Sequence, residues 1–114
     1  MKVYLSILFS LFFTVIFSQN QNNSVLFAQC YFDIPNEQTM LDLEKDLRLH
    51  PNTNIVRLDY ISQRAFIITQ GVNSLTNEEF KSWFVSFSNT INCIQIGVYG
   101  VDKIDPYPFT NCQD

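Results

Sequence analysis

The sequence predicts an α+β fold in which strands and helices follow the order β-α-β-β-α-β. Three observations support this order. Apolar residues alternate with polar ones in four segments, which is typical of strands. In two other segments apolar residues recur at steps of three and four residues, which is typical of helices. A helix-capping sequence precedes the second of these helical segments. The predicted strands cover residues 25–34, 54–61, 64–70 and 91–99, and the predicted helices cover residues 37–49 and 77–89.

The first strand and the first helix lie on either side of a break at Pro35-Asn36. In the strand, one face is expected to carry Leu26, Ala28, Cys30, Phe32 and Ile34, and the other face Gln29, Tyr31 and Asp33. In the helix, the apolar positions at helical spacing are Met40, Leu43 and Leu47. His50-Pro51-Asn52 ends this helix, because proline disfavours helical geometry in the residue before it.

The second and third strands are predicted to form a hairpin. Along residues 54–61, Val56, Leu58 and Tyr60 face one side, and Arg57 and Asp59 face the other. Ser62-Gln63 is interpreted as a two-residue turn. In the following strand we expect Phe66 and Ile68 to face the core, and Gly71 ends the hairpin.

The second helix has the strongest local signal. Thr76-Asn77-Glu78-Glu79 matches a capping box, with Leu75 and Phe80 at the hydrophobic-staple positions. The apolar stripe that follows consists of Phe80, Trp83, Phe84 and Phe87 and is expected to lie in the core, with Trp83 at its rim. The last strand directs Ile94, Ile96 and Val98 inward. Two strand–helix–strand units of this kind predict a ferredoxin-like sandwich, a four-stranded antiparallel sheet with two helices on one face.

Residues 1–18 are typical of a secretory signal peptide, since Lys2 precedes an apolar run from Val3 to Phe17 and the small residue Ser18 follows. This run is shorter than the about 20 residues that a membrane-spanning helix needs, so we expect the segment to be removed rather than kept as an anchor. Residues 19–23 then form a polar linker, residues 24–100 the folded domain, and residues 101–114 an irregular C-terminal tail. The protein is therefore expected to be exported, to the periplasm or the extracellular space, with no stable membrane insertion after removal of the signal.

The charge balance is acidic. Without Lys2, six of the seven Lys and Arg residues remain against eleven Asp and Glu. Nucleic acids and anionic membranes are bound by clusters of Lys and Arg, so neither is an expected partner. The abundance of Phe, Ile and Asn is similar to that of exported proteins from AT-rich genomes such as those of the Bacteroidetes.

The element order and domain size resemble those of the heavy-metal-associated domain, the fold of small copper chaperones, over roughly residues 24–100. Members of that family bind a soft metal through Cys-x-x-Cys in the loop after the first strand. Here this loop reads Asp33-Ile34-Pro35-Asn36-Glu37-Gln38-Thr39-Met40 and holds no cysteine. Metal transport is therefore not expected from the resemblance, and no cofactor is predicted.

Three cysteines in an exported chain favour one disulfide. Cys93 has the opposite strand parity to Ile94 and Ile96 and is expected on the outer sheet face, whereas Cys30 shares the inward face with Ala28. A Cys93–Cys112 bridge is predicted, which would draw the tail across the sheet. The alternative is Cys30–Cys93.

No residue is expected to be catalytic, because the sequence holds no nucleophile motif, phosphate-binding loop or paired acid–base motif. His50, the only histidine, is interpreted as capping the end of the first helix rather than binding metal. The charged residues Asp42, Glu44 and Asp46 are interpreted as the solvated side of that helix.

A partner-binding surface is expected on the outer sheet face, formed by Phe27, Tyr31, Ile67 and Tyr99, with Arg57 and Asp59 nearby. Either the tail covers these residues or they contact a partner protein. The sequence thus predicts a small exported, non-catalytic protein-interaction module whose partner is an envelope or extracellular protein. The alternative is a degenerate heavy-metal-associated domain that keeps residual soft-metal binding through a thiol.

Overall fold

A computed structural model describes residues 24–110 and residue 112. The predicted signal peptide and polar linker lie outside the described residues. The four strands are β1 (Leu26–Tyr31), β2 (Thr53–Asp59), β3 (Arg64–Thr69) and β4 (Asn92–Val98). The helices are α1 (Glu37–Arg48) and α2 (Asn77–Ser82), and a 3₁₀ helix (Val85–Thr90) follows α2.

The strands form one antiparallel sheet in the order β2-β3-β1-β4. This order and the alternation of strands and helices confirm the predicted ferredoxin-like α+β fold. Within residues 24–110, no helix is long and apolar enough to cross a membrane.

The core lies between the helices and one face of the sheet, which we call the inner face. Phe80 and Phe84 are fully buried there, with their ring centroids 5.2 Å apart in an edge-on arrangement. The helix α1 contributes its three predicted apolar residues, Met40, Leu43 and Leu47. The inner face of the sheet contributes Ala28, Cys30, Val56, Ala65 and Ile67. The alternation predicted for β1 and β2 is confirmed, because Ala28, Cys30 and Val56, which were expected on the core side of their strands, pack in this core.

The predicted orientation of β3 is wrong by one residue. Ile67 was expected on the outer face, but it pairs with Ala28 of β1 and is fully buried in the core. Phe66 and Ile68, which were expected inward, instead lie on the outer face. Because β3 is apolar on both sides along Ala65-Phe66-Ile67-Ile68, its own pattern does not distinguish the two faces, and pairing with β1 determines them.

The β2–β3 connection is also longer than predicted. Four residues, Tyr60–Gln63, join the strands instead of the two expected. The Asp59 carboxylate accepts hydrogen bonds from the backbone N–H and the hydroxyl of Ser62. Gln63 adopts the left-handed conformation with φ 54°, and its side-chain oxygen accepts the Ile34 N–H at 2.7 Å. Side-chain hydrogen bonds thus stabilise a wider loop.

The second predicted helix is interrupted. The Thr76 hydroxyl accepts the Glu79 N–H at 3.1 Å, which confirms one half of the capping box. However, α2 ends at Ser82, and Val85 has a φ of 53°, a left-handed conformation that is rare for a β-branched residue. The Phe84 N–H donates to the carbonyl of Lys81, three residues back instead of the four of an α-helix, so the turn tightens before the break.

The helix α1 closes the free edge of β2. The Glu44 carboxylate accepts the Leu58 N–H at 2.8 Å, and the Arg48 guanidinium donates to the Val56 carbonyl at 3.3 Å. Glu44 and Arg48 also form an ion pair at 3.4 Å. An exposed edge strand can pair with another chain, and here the side chains of α1 occupy two of the backbone groups on that edge.

Candidate functional site

The outer face of the sheet consists of three rows of side chains that run across the strands. Strand register places Ile55, Ile68, Phe27 and Gly97 in the first row, Arg57, Phe66, Gln29 and Gln95 in the second, and Asp59, Arg64 and Tyr31 in the third. The first row is apolar, whereas the second and third rows carry charges on the β2–β3 side.

The C-terminal tail, residues 101–110 and 112, turns back after β4 and crosses this face. The turn is closed by Val98, whose carbonyl accepts the N–H groups of Val101 and Asp102, while the Asp102 carboxylate accepts the Val98 N–H at 2.7 Å. A Cβ atom added to Gly97 would lie 2.8 Å from the Phe27 ring and 3.0 Å from the Asp102 Cβ. The absence of a side chain at Gly97 therefore lets the tail approach the sheet closely.

Two glutamines bind the middle of the tail. The Gln29 amide donates to the Gln95 side-chain oxygen at 2.7 Å and to the Asp105 carbonyl at 3.0 Å. Gln95 accepts the Asp105 N–H at 2.9 Å and donates to the Lys103 carbonyl at 2.8 Å. Gln29 is only 5 % exposed, so these hydrogen bonds satisfy an amide that the tail helps to bury.

Aromatic contacts hold the end of the tail. The Tyr31 hydroxyl accepts the Phe109 N–H at 2.9 Å, and the two rings lie 4.7 Å apart. Tyr107 meets the Tyr31 ring edge-on at 6.3 Å. The Arg64 guanidinium lies 4.7 Å from the centre of the Tyr107 ring, a cation–π contact that joins β3 to the tail.

The disulfide between Cys93 and Cys112 fixes the tail covalently, as predicted. Cys93 lies at an irregularity in the β1–β4 pairing and has a φ of 55°. Cys30 is fully buried in the core on the inner face, which excludes the alternative Cys30–Cys93 bridge. Disulfides of this kind persist in non-reducing environments.

The four residues predicted as a partner-binding surface do not form one exposed patch. Ile67 is in the core on the other side of the sheet. Phe27 is on the outer face but fully buried, with its ring stacked 6.3 Å from Phe66, and Tyr31 is covered by the tail. Tyr99 is 48 % exposed at the end of β4. The outer face was expected either to be covered by the tail or to contact a partner protein. In the structure the tail covers the β1–β4 half of this face.

The β2–β3 half stays open and forms a cleft against the tail, with a volume of about 570 Å³. Its floor includes the Phe66 side chain, and the tail supplies a wall that contains Ile104 and Tyr107. We call this space the outer-face cleft. Its charged lining residues are Arg57, Asp59, Arg64 and Asp105. The sequence pointed to Arg57 and Asp59 as neighbours of a surface, but not to Phe66, because β3 was placed in the opposite orientation.

The charged side chains of the outer-face cleft differ in whether they already have hydrogen-bond or cation–π partners within the protein. The hydrogen bonds from Ser62 to Asp59, together with the charge of Arg64, lower the pKa of the Asp59 carboxyl below its usual value. Arg64 is engaged with the Tyr107 ring. Within the part of the chain that the structure describes, the Arg57 side chain is exposed and its guanidinium makes no hydrogen bond or ion pair.

The alternative function, residual binding of a soft metal, would need a cluster of metal-ligating side chains. No group of three His, Cys, Asp or Glu side chains in the described residues is placed to hold a metal ion. Cys93 and Cys112 are joined to each other, and Cys30 is buried. In the loop that carries metal-binding cysteines in heavy-metal-associated domains, Ile34 is fully buried. Soft-metal binding through thiolates would therefore need reduction of the disulfide or opening of the core.

His50 lies at the end of α1, as predicted, and forms local contacts. Its Nδ1 accepts the Asn52 N–H at 3.1 Å, and its ring lies 4.7 Å from that of Trp83. Its side chain thus caps the turn after the helix rather than contributing to the outer-face cleft.

Comparison with protein-family models, with curated proteins and with solved structures found no match for this chain.

Proposed function

We propose that this chain is a small exported, non-catalytic protein-interaction module that docks an envelope or extracellular protein in the outer-face cleft. The observation that carries the proposal is the combination of an unpaired cation, Arg57, with the aromatic floor residue Phe66 beside it. Binding sites on proteins typically join an apolar surface to a few polar groups that fix orientation.

Two features support export. The first eighteen residues have the pattern of a signal peptide, and the disulfide favours an oxidising compartment. A domain of this size has a limited core, so a covalent link is a common means of stabilising it outside the cell.

The lining of the outer-face cleft supports binding rather than catalysis. The residues that line it include no serine, threonine, cysteine or histidine, so they offer no aliphatic hydroxyl, thiol or imidazole. Asp59 is a poor proton acceptor because Ser62 already donates two hydrogen bonds to its carboxylate. The remaining groups suit recognition through charge and apolar contact.

Quantitative co-purification tests this function. An affinity-tagged chain is recovered from the cells that produce it, and the bound proteins are compared with those of Arg57→Glu and of Lys45→Glu, a matched charge reversal on the exposed side of α1. We expect a partner that is lost with Arg57→Glu and kept with Lys45→Glu. A partner set that is the same for all three proteins would contradict docking in the outer-face cleft.

A further inference from the structure

We infer that the occupant of the outer-face cleft is an extended peptide segment of the partner that carries an acidic side chain next to a large apolar one. This inference rests on the proposed function and adds the chemistry of the ligand. The acidic group would pair with Arg57, and the apolar group would pack on Phe66 and Ile104.

The three arginines of the sheet and of α1 differ in whether the guanidinium already has a partner. Arg48 is bound to the edge of β2 and to Glu44, and Arg64 lies over the Tyr107 ring. Arg57 has neither kind of contact within the described residues, although its strand neighbour Asp59 is acidic. Asp59 takes its hydrogen bonds from Ser62, which leaves the guanidinium of Arg57 available to an incoming carboxylate.

The apolar part of the outer-face cleft lies next to Arg57. Phe66 lies directly across from Arg57 in the register of β2 and β3, so an apolar group bound on its ring stands beside the guanidinium. Ile104 faces the same space from the tail and remains 38 % exposed. A ligand with adjacent acidic and apolar side chains can thus use both surfaces at once.

The outer-face cleft carries acidic as well as basic side chains. Asp105, on the tail, lines the cleft beyond Phe66 on the side away from Arg57, because Gln29 holds the Asp105 carbonyl there. Two strand spacings, about 10 Å, separate the backbones of Arg57 and Gln29. A single carboxylate can pair with the guanidinium of Arg57, whereas a polyanion such as a nucleic acid would also be repelled by Asp59 and Asp105.

Titration with defined peptides tests the inference. ¹⁵N-labelled chain with its disulfide intact is titrated with capped peptides that contain Asp-Phe, Asn-Phe or Asp-Gly, and amide shifts are followed by NMR. We expect the Asp-Phe peptide to bind most tightly, to shift the amides of Arg57 and Phe66, and to lose about tenfold or more in affinity in Arg57→Gln. Lys45→Gln, the matched control on α1, should keep the affinity of the unchanged chain.

Equal binding of the Asp-Phe and Asn-Phe peptides, or shifts confined to another surface, would overturn the inference, as would a lack of binding by all three peptides. The co-purification experiment separates failure of this inference from failure of the proposed function. If Arg57→Glu still loses the natural partner on co-purification, docking at the outer-face cleft stands and only the ligand chemistry is wrong. If the partner is also unchanged, both are wrong.

Discussion

The Tyr31 hydroxyl, on the first strand, accepts a hydrogen bond from the backbone N–H of Phe109, in the tail, at 2.9 Å. This contact joins residues 78 positions apart and lies beside the disulfide that fixes the tail. It anchors the end of the tail on β1, on the outer sheet face. The tail covers the β1–β4 part, and the outer-face cleft opens on the β2–β3 part.

Tyr31→Phe should lower the free energy of unfolding by about 1 kcal/mol, because the Phe109 N–H loses its acceptor. Urea denaturation followed by fluorescence measures this. Tyr99→Phe is the matched control, since Tyr99 lies exposed at the end of β4 and its hydroxyl makes no hydrogen bond within the described residues. Equal losses in the two variants would contradict a specific anchoring role for Tyr31.

Reduction of the Cys93–Cys112 disulfide should lower the free energy of unfolding by about 3 kcal/mol, the value that the chain-entropy model gives for a loop of about 20 residues. Denaturation with and without dithiothreitol measures the difference. In Cys112→Ser the same reagent should have no effect. If dithiothreitol weakens that variant equally, the loss does not come from this bridge.

Gly97→Ala should destabilise the fold by about 1–3 kcal/mol, because the new Cβ would overlap the Phe27 ring and press on Asp102. Thermal unfolding measures the cost. A double-mutant cycle with Phe27→Leu is the control, since a smaller side chain at position 27 relieves part of the overlap. Purely additive effects would show that the Gly97 and Phe27 positions do not interact as the structure implies.

Glu44→Ala should expose the edge of β2 and leave the Leu58 N–H without its acceptor. We expect a loss of about 1–3 kcal/mol in stability and a rise in self-association, measured by denaturation and by light scattering. Asp46→Ala removes a charge from the exposed side of the same helix and should leave the protein monomeric to the same degree as the unchanged chain. Equal association of both variants would mean that lost charge, rather than the opened edge, causes it.

The carboxyl of Asp59 should titrate below its usual pKa of 3.8, because the Ser62 hydroxyl and N–H stabilise its charged form. A lowered pKa in the folded state means that this stabilisation is present above pH 3.8 and is lost as the pH falls through the folded value. Side-chain NMR titration measures the pKa, and Ser62→Ala should move it upward. A pKa that does not change in Ser62→Ala would contradict this cause.

The sequence allowed the fold to be predicted where its pattern distinguishes two environments. In β1, Gln29 and Tyr31 separate the outer face from the inner face, and the structure confirms that assignment. In β3 all residues from Ala65 to Ile68 are apolar, so only pairing with β1 determines which of them face the core. The break at Val85 was not predictable from helical periodicity, because that pattern continues through Phe84 and Phe87.

The candidate site, too, was predictable only where a local sequence pattern determines the position of a residue. Strand parity and the position of Cys112 were enough to predict the disulfide and the return of the tail. The contacts that decide how far the tail spreads over the sheet depend on Gln29, Gln95 and Gly97, whose roles follow from three-dimensional packing rather than from any local pattern. For this reason the sequence left open whether the tail or a partner covers Phe27 and Tyr31.

Site-specific photo-crosslinking from the floor of the outer-face cleft tests the central claim most directly. p-Benzoylphenylalanine replaces Phe66 in one protein and Ile61 in a control, since Ile61 is 89 % exposed on the β2–β3 loop. We expect a discrete adduct from position 66 in the cells that produce the protein, competed by the Asp-Phe peptide, and no such adduct from position 61. Equal adducts from both positions, or an adduct from position 66 that the peptide does not reduce, would contradict recognition of an acidic–apolar segment in the outer-face cleft.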